Sequence, residues 1–158
     1  MRSFPAHLPL AQMDARRDGV VFTPRHGKAV EINWDRAAFP YVHDVRWPEH
    51  GKPTMVVLNR AQTELRVLTI DDKTGATTAV ITEQDSAWVN TAGGPRWAAD
   101  GASFLWPRET ADGWTVERFA ADGKPLGTVI GRAQGFTGQF AVDDETGEIW
   151  FAGGTPVE

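Results

Sequence analysis

An all-β fold is what this sequence predicts, on three observations. Glycine-centred turn signals recur at short intervals, and the runs between them have strand length and are rich in β-branched and aromatic residues. Only residues 10–17 offer anything helix-like, and that stretch is brief. The composition agrees, since 16 glycines, 10 prolines and 7 tryptophans in 158 residues suit many short strands joined by turns.

Residues 1–18 match no blade pattern and are expected to be a non-native or irregular start. A strand is expected at 20–23, turned by Arg25-His26-Gly27-Lys28 into another at 29–33. Strands at 42–47 and 54–59 flank Pro48-Glu49-His50-Gly51, and strands at 65–70 and 77–82 flank Asp71-Asp72-Lys73-Thr74-Gly75. After Ala99-Asp100-Gly101 come 103–106, 114–119 and 126–130, the last two separated by Ala121-Asp122-Gly123. Asp143-Asp144-Glu145-Thr146-Gly147 joins 136–142 to 148–152. In these turns glycine supplies the positive φ, and a polar neighbour such as Asp can bond its own backbone.

Several strands are apolar on both faces. In the run at 65–70, Leu65 and Val67 point one way while Leu68 and Ile70 point the other, and 54–58 is nearly continuous. A sheet with one wet face would alternate cleanly, so these strands need cover on both sides. Radially stacked sheets give that cover without crossover helices. A repeat supports the arrangement: Arg46-Trp47 recurs as Arg96-Trp97, and Gly51 recurs as Gly101, both 50 residues on. Gly147 with Ile149-Trp150-Phe151 is a third copy, and Gly27 and Gly75 lie in echoing segments 48 apart. A period near 50 with about four strands per unit is that of propeller blades.

The expected architecture is therefore a partial β-propeller over 19–158. It has about two complete four-stranded blades, at 41–85 and 86–132, and half-blades at 19–40 and 133–158. A β-sandwich with accidental echoes is the rival. A propeller closes with about 4–8 blades, so such a chain either assembles with copies of itself or is a piece of a longer polypeptide. The end at Gly153-Gly154-Thr155-Pro156-Val157-Glu158 offers no visible cap, and the piece is the expectation.

The charge balance is 21 acidic against 16 basic residues, a net −5, which argues against a nucleic-acid-gripping surface. The absence of cysteine excludes disulfides, thiolate zinc sites and a thiol nucleophile. Neither a signal peptide nor a membrane span is recognisable, and the compartment is left open.

Five ordered segments resemble one family. They are Phe39-Pro40-Tyr41-Val42-His43-Asp44-Val45-Arg46-Trp47, Leu58-Asn59-Arg60-Ala61-Gln62-Thr63, and Thr82-Glu83-Gln84-Asp85-Ser86-Ala87-Trp88-Val89-Asn90. Asp100-Gly101-Ala102-Ser103-Phe104-Leu105-Trp106 and Asp112-Gly113-Trp114 complete the set. Together they resemble the middle blades of the N-terminal propeller of dipeptidyl peptidase IV-like serine peptidases. The resemblance implies an eight-bladed propeller seated on an α/β-hydrolase domain that removes dipeptides from peptide N-termini, usually with proline or alanine in second position. It implies partners of three kinds: that catalytic domain, the remaining blades, and peptide substrates admitted through the propeller. The propeller would gate entry, so that only short or unfolded peptides reach a Ser-Asp-His triad.

No triad is legible here. The serines are Ser3, Ser86 and Ser103, and Gly101-Ala102-Ser103-Phe104-Leu105 fails the G-x-S-x-G elbow and leads into a strand. The family's amine-binding Glu-Glu pair is also missing. The chain alone is expected to catalyse nothing. Neither cofactor nor metal is expected: His7, His26, His43 and His50 lack ligand spacing, and Asp71-Asp72 and Asp143-Asp144 read as turn caps. His43 is expected to face between strands. Trp47, Trp97, Trp106 and Trp150 are read as packing between blades, and Arg60 as an exposed or salt-bridged structural residue.

In the family the residues after the Trp88-Val89 pair form a loop near the substrate's site, so the resemblance implies a substrate-facing edge at Trp88, Val89 and Asn90. Burial of Trp88 at a blade junction is the structural alternative. Two other functions stay open: a free-standing binding or assembly module that oligomerises through open blade edges, and carbohydrate binding through Trp88 or Trp114.

Overall fold

The computed structural model describes residues 11–16, 19–24, 29–143 and 146–154. Among them, strands form four antiparallel sheets taken in chain order. The first holds β1 (Ala11–Arg16), β2 (Gly19–Pro24) and β3 (Val30–Glu31). The second holds β4 (Tyr41–Arg46), β5 (Thr54–Leu58), β6 (Glu64–Ile70) and β7 (Thr77–Gln84). The third holds β8 (Arg96–Trp97), β9 (Ser103–Thr110), β10 (Gly113–Ala120) and β11 (Pro125–Ile130). The fourth is the hairpin of β12 (Phe136–Val142) and β13 (Ile149–Gly153), reached through a short 3-10 turn at Arg132–Gln134. The sheets do not close on one another, and the fold is a partial β-propeller.

Two-sided burial of the second sheet is what imposes the stack. Leu65 and Val67 join Val56, Leu58 and Ile81 against Trp97, Phe104, Trp106 and Phe119 of the third sheet. From the opposite face Met55, Val57, Leu68 and Ile70 pack on Ile32 and Phe39, which lie between β3 and β4. The third sheet repeats the pattern, turning Leu105, Val116 and Ile130 towards Phe136 of the last hairpin. Each buried aliphatic or aromatic side chain contributes about 1.5–3 kcal/mol, so an uncovered face would be costly.

The sequence repeat is a packing repeat. Trp47 and Trp97 each follow or end the first strand of their sheet, and each packs towards the preceding sheet. Gly51 has φ +89, and a Cβ there would enter the Trp97 ring. Gly101, its counterpart, has φ +64 and rests on Gly51 itself, where a Cβ would stand 2.8 Å from the Gly51 nitrogen. Turn glycines Gly75 and Gly123 likewise abut backbone of the sheet before them, at the carbonyls of Glu31 and Val80.

One polar cluster crosses between the second and third sheets. Glu83 on β7 accepts hydrogen bonds from Trp106 Nε1 and Arg108 Nε, both at 2.7 Å, and Arg108 also reaches Glu117 at 3.2 Å. The Glu83 side chain is 11% exposed, so its charge is compensated where solvent cannot do it.

The two D-D-x-T-G turns share a bonding pattern at their described residues. Asp71 Oδ1 accepts from the backbone N–H groups of Lys73 and Thr74 and from the Thr74 hydroxyl. Asp143 Oδ1 accepts from the Thr146 N–H at 2.8 Å. Gly75 and Gly147 donate back to the Asp71 and Asp143 carbonyls, each at 2.8 Å.

Four features of the structure differ from the sequence reading or add to it. Ala11–Arg16, within the helix-like stretch and the irregular start, is a strand paired in register with Gly19–Pro24; six residues are too few to hold a helix unaided. Arg96–Trp97 is a strand that the sequence reading does not separate from its neighbours. Trp150 is 66% exposed on β13, in the last described sheet. His43 does not face between strands: pairing skips from Val42–Val57 to Asp44–Val56, leaving His43 as an exposed bulge residue. The turn Arg25–Lys28, with His26, as well as His7 and Asp144, lies outside the described residues.

Candidate functional site

Asn59 builds the turn from which the site grows. Its Oδ1 accepts from the N–H groups of Thr63 (2.9 Å) and Glu64 (3.1 Å), and its Nδ2 donates to Thr63 Oγ1 (3.1 Å). This knot holds Gln62 at φ +58, the one positive φ outside glycine among the described residues. Such a conformation is costly for a side-chain-bearing residue and persists where the surroundings over-determine it.

The loop after β7 is clasped to that turn. Val89 N–H donates to the Gln62 carbonyl at 2.9 Å, and Asp85 N–H donates to the Thr63 carbonyl at 3.0 Å. Asp85 Oδ1 accepts from the N–H groups of Ala87 (2.7 Å) and Trp88 (2.9 Å). Val89 is drawn into the core at 6% exposure, while Trp88 is left 54% exposed. Asn90 Nδ2 donates to Glu109 Oε2 on β9.

Trp88, Val89 and Asn90 thus meet Tyr41, Val42, His43 and Gln62 around an open cavity of about 380 Å³ with Leu58 in its wall. The volume lies within the range of small-ligand sites. None of its lining residues is Asp, Glu, Lys or Arg. The three residues implied as a substrate-facing edge are therefore together on one cavity, with Trp88 exposed rather than buried at a junction. Tyr41, Gln62 and His43 were not singled out as site residues from sequence. The Asn59 motif and the unusual backbone of Gln62 are the features that single them out, and only the first is visible in sequence.

The other sequence-stated positions stay outside the cavity. Arg60 is exposed at the turn's crest and makes no ion pair with a described residue. Ser103 is buried at the start of β9, where its backbone pairs with Ala120. Trp114 is half-buried against the last hairpin, its ring over Gly138. Among the described residues no cluster of three or more His, Asp or Glu could hold a metal ion, and no helix is long and apolar enough to cross a membrane.

The N–H groups of Trp88 first and Ala87 second hold the Asp85 carboxyl below the ordinary carboxylate range. A lowered folded value means that the loop's stabilisation is complete above the unfolded value of about 3.9. It is lost as pH falls through the lower folded value. The Trp88 amide resonance should therefore hold steady from neutral pH to about 4 and move only below it. Asp85→Asn should abolish that titration. A midpoint at or above the ordinary carboxylate value would contradict the clasp.

Chain-ordered four-stranded sheets, covered on both faces and joined at repeating glycine turns, define a β-propeller segment. The chain belongs to the family described as "Dipeptidyl peptidase IV (DPP IV) N-terminal region", whose model matches residues 18–157. Among solved structures, it is similar to a chain described as a candidate dipeptidyl aminopeptidase IV from Bacteroides ovatus, at 15% identity and a TM-score of 0.58. That likeness shows the fold, covering 87% of this chain and 18% of the other. This chain thus spans about a fifth of that protein's length. No curated protein matches it.

Proposed function

We propose that the chain is an internal part of the propeller of a dipeptidyl peptidase IV-like serine peptidase, with blades at 41–85 and 86–132 and half-blades at 19–40 and 133–158. It serves substrate gating there. The catalytic triad belongs to an α/β-hydrolase partner domain, and Trp88, Val89 and Asn90 form an edge that meets the peptide on its way to it. The observation that carries this reading is the coincidence of the aromatic-rimmed cavity with the implied substrate-facing loop, within a chain of this family. A propeller that restricts entry protects folded proteins and keeps the reacting centre away from bulk solvent.

The pure 158-residue chain is expected to give no serine-reagent-sensitive turnover of a chromogenic Gly-Pro or Ala-Pro amide. Turnover that such a reagent abolishes would defeat this reading. In the parent enzyme, Trp88→Ala should change kcat/KM between peptides of different length or sequence more than it changes hydrolysis of the small amide. An equal effect on all substrates would argue against gating.

A second reading, self-association through open sheet faces, is favoured by Trp150 and Phe151, which are 66% and 40% exposed on the last hairpin. A discrete dimer or trimer with one cooperative unfolding transition would support it. A monomer that aggregates through this face supports the first.

A further inference from the structure

A second cavity, of about 260 Å³, opens where the third sheet meets the last hairpin. Its wall holds Trp114 and the buried Phe136, and its rim carries Asp112 and Arg132. Gly113 and Gly154 also line it, and a Cβ added at either would meet no described residue within 4 Å. Main chain is therefore bare to the cavity at both positions.

The polar groups are held in advance. Asp112 stands in the β9–β10 turn, where the Thr110 hydroxyl donates to the Gly113 carbonyl (2.9 Å) and accepts from the Asp112 N–H (3.3 Å). Arg132 opens the 3-10 turn, which Gln134 ties by accepting from the Gly131 N–H at 3.0 Å. Arg132 Nη1 and Asp112 Oδ1 are 3.5 Å apart, with the side chains 74% and 80% exposed. So long and wet a pair holds little by itself. Both groups keep most of their hydrogen-bonding capacity.

Trp114 is also incompletely used. Its ring rests on Gly138, where a Cβ would stand 3.2 Å away. Its Nε1 has no partner among the described residues, yet it is not sealed in the core. A ligand for this place must be small, since the volume suits one ring rather than a chain. It needs a flat face of C–H groups to lie on an indole. Separate charges would gain little from groups so exposed, because water and salt screen them. Neighbouring hydroxyls answer both at once, donating to Asp112 and accepting from Arg132.

We propose that this second cavity binds a single pyranose ring of a carbohydrate. The C–H face of the sugar stacks on Trp114, and two adjacent hydroxyls are shared between Asp112 and Arg132. Trp114 Nε1 and the bare main chain at Gly113 and Gly154 serve the remaining hydroxyls. The site is separate from the cavity at Trp88 and does not depend on what that cavity admits.

The test uses the 158-residue chain with the methyl glycosides of glucose, galactose and mannose. Cyclohexanol and phenylalanine stand in for an apolar ring and a zwitterion. At least one glycoside should shift the Trp114 indole resonance and the Gly113 and Gly135 amides saturably. It should bind about tenfold more tightly than cyclohexanol or phenylalanine, and its affinity should not change with salt. Asp112→Ala and Arg132→Ala should each weaken it by about tenfold. Neither should move the thermal unfolding midpoint, because both side chains are exposed.

No saturable shift with any of the three glycosides would overturn the proposal. So would tighter binding of cyclohexanol or phenylalanine, or shifts confined to residues 88–90. Glycoside binding that survives the loss of both the Asp112 and Arg132 side chains would overturn it as well.

Discussion

Trp106→Ala is expected to cost about 3–5 kcal/mol of stability, read by urea or thermal unfolding. The side chain is 1% exposed in the layer between the second and third sheets, so truncation leaves a cavity walled by both. It also removes the N–H that Glu83 accepts at 2.7 Å in a nearly closed environment. Trp106→Phe separates the two contributions, keeping most of the ring while losing a charge-assisted hydrogen bond of about 1.5–3 kcal/mol. Trp150→Ala, at a 66% exposed position, should stay within about 0.5 kcal/mol of the parent. Similar losses at Trp106 and Trp150 would mean that stacking of the two sheets is not what holds the chain together.

Gly51→Ala should be nearly as damaging, at about 3 kcal/mol, because two penalties coincide. A side-chain-bearing residue at φ +89 pays about 1–2 kcal/mol. The new methyl group also drives into the Trp97 ring, and overpacking of this kind costs about 1–3 kcal/mol more. Gly147→Ala isolates the first penalty, since that glycine has φ +73 with no described residue within 4 Å of the added carbon. A Gly51→Ala variant no less stable than Gly147→Ala would show that the turn and the Trp97 ring can part without loss.

The stacking of the sheets was legible because it is written in local pattern. Leu65, Val67, Leu68 and Ile70 declare a strand with no wet face, and the structure divides them between two apolar layers as their parity requires. Gly51 and Gly101, matched at 50 residues, turn out to touch each other. What stayed hidden depends on partners distant in sequence. Nothing near Glu83 announces that it will meet Trp106 and Arg108, and Ala11–Arg16 becomes a strand only through β2.

The site was legible in part for the same reason. Trp88, Val89 and Asn90 were reached through a resemblance, and their shared cavity could not have been read from spacing. The bulge that turns out His43 arises from a slip in pairing between β4 and β5, which neither strand's composition records. The backbone of Gln62 is set by Asn59 three residues earlier, a local cause whose effect is visible only in coordinates.

Within the described sheets each strand pairs with those just before and after it in the chain, and each sheet leans on the one already formed. Synthesis from the ribosome runs in that same direction. A newly emerged hairpin can dock at once on finished structure, and no strand has to wait for a mate encoded far downstream. A fold laid down in this order can be lengthened or shortened by whole units without rerouting the chain.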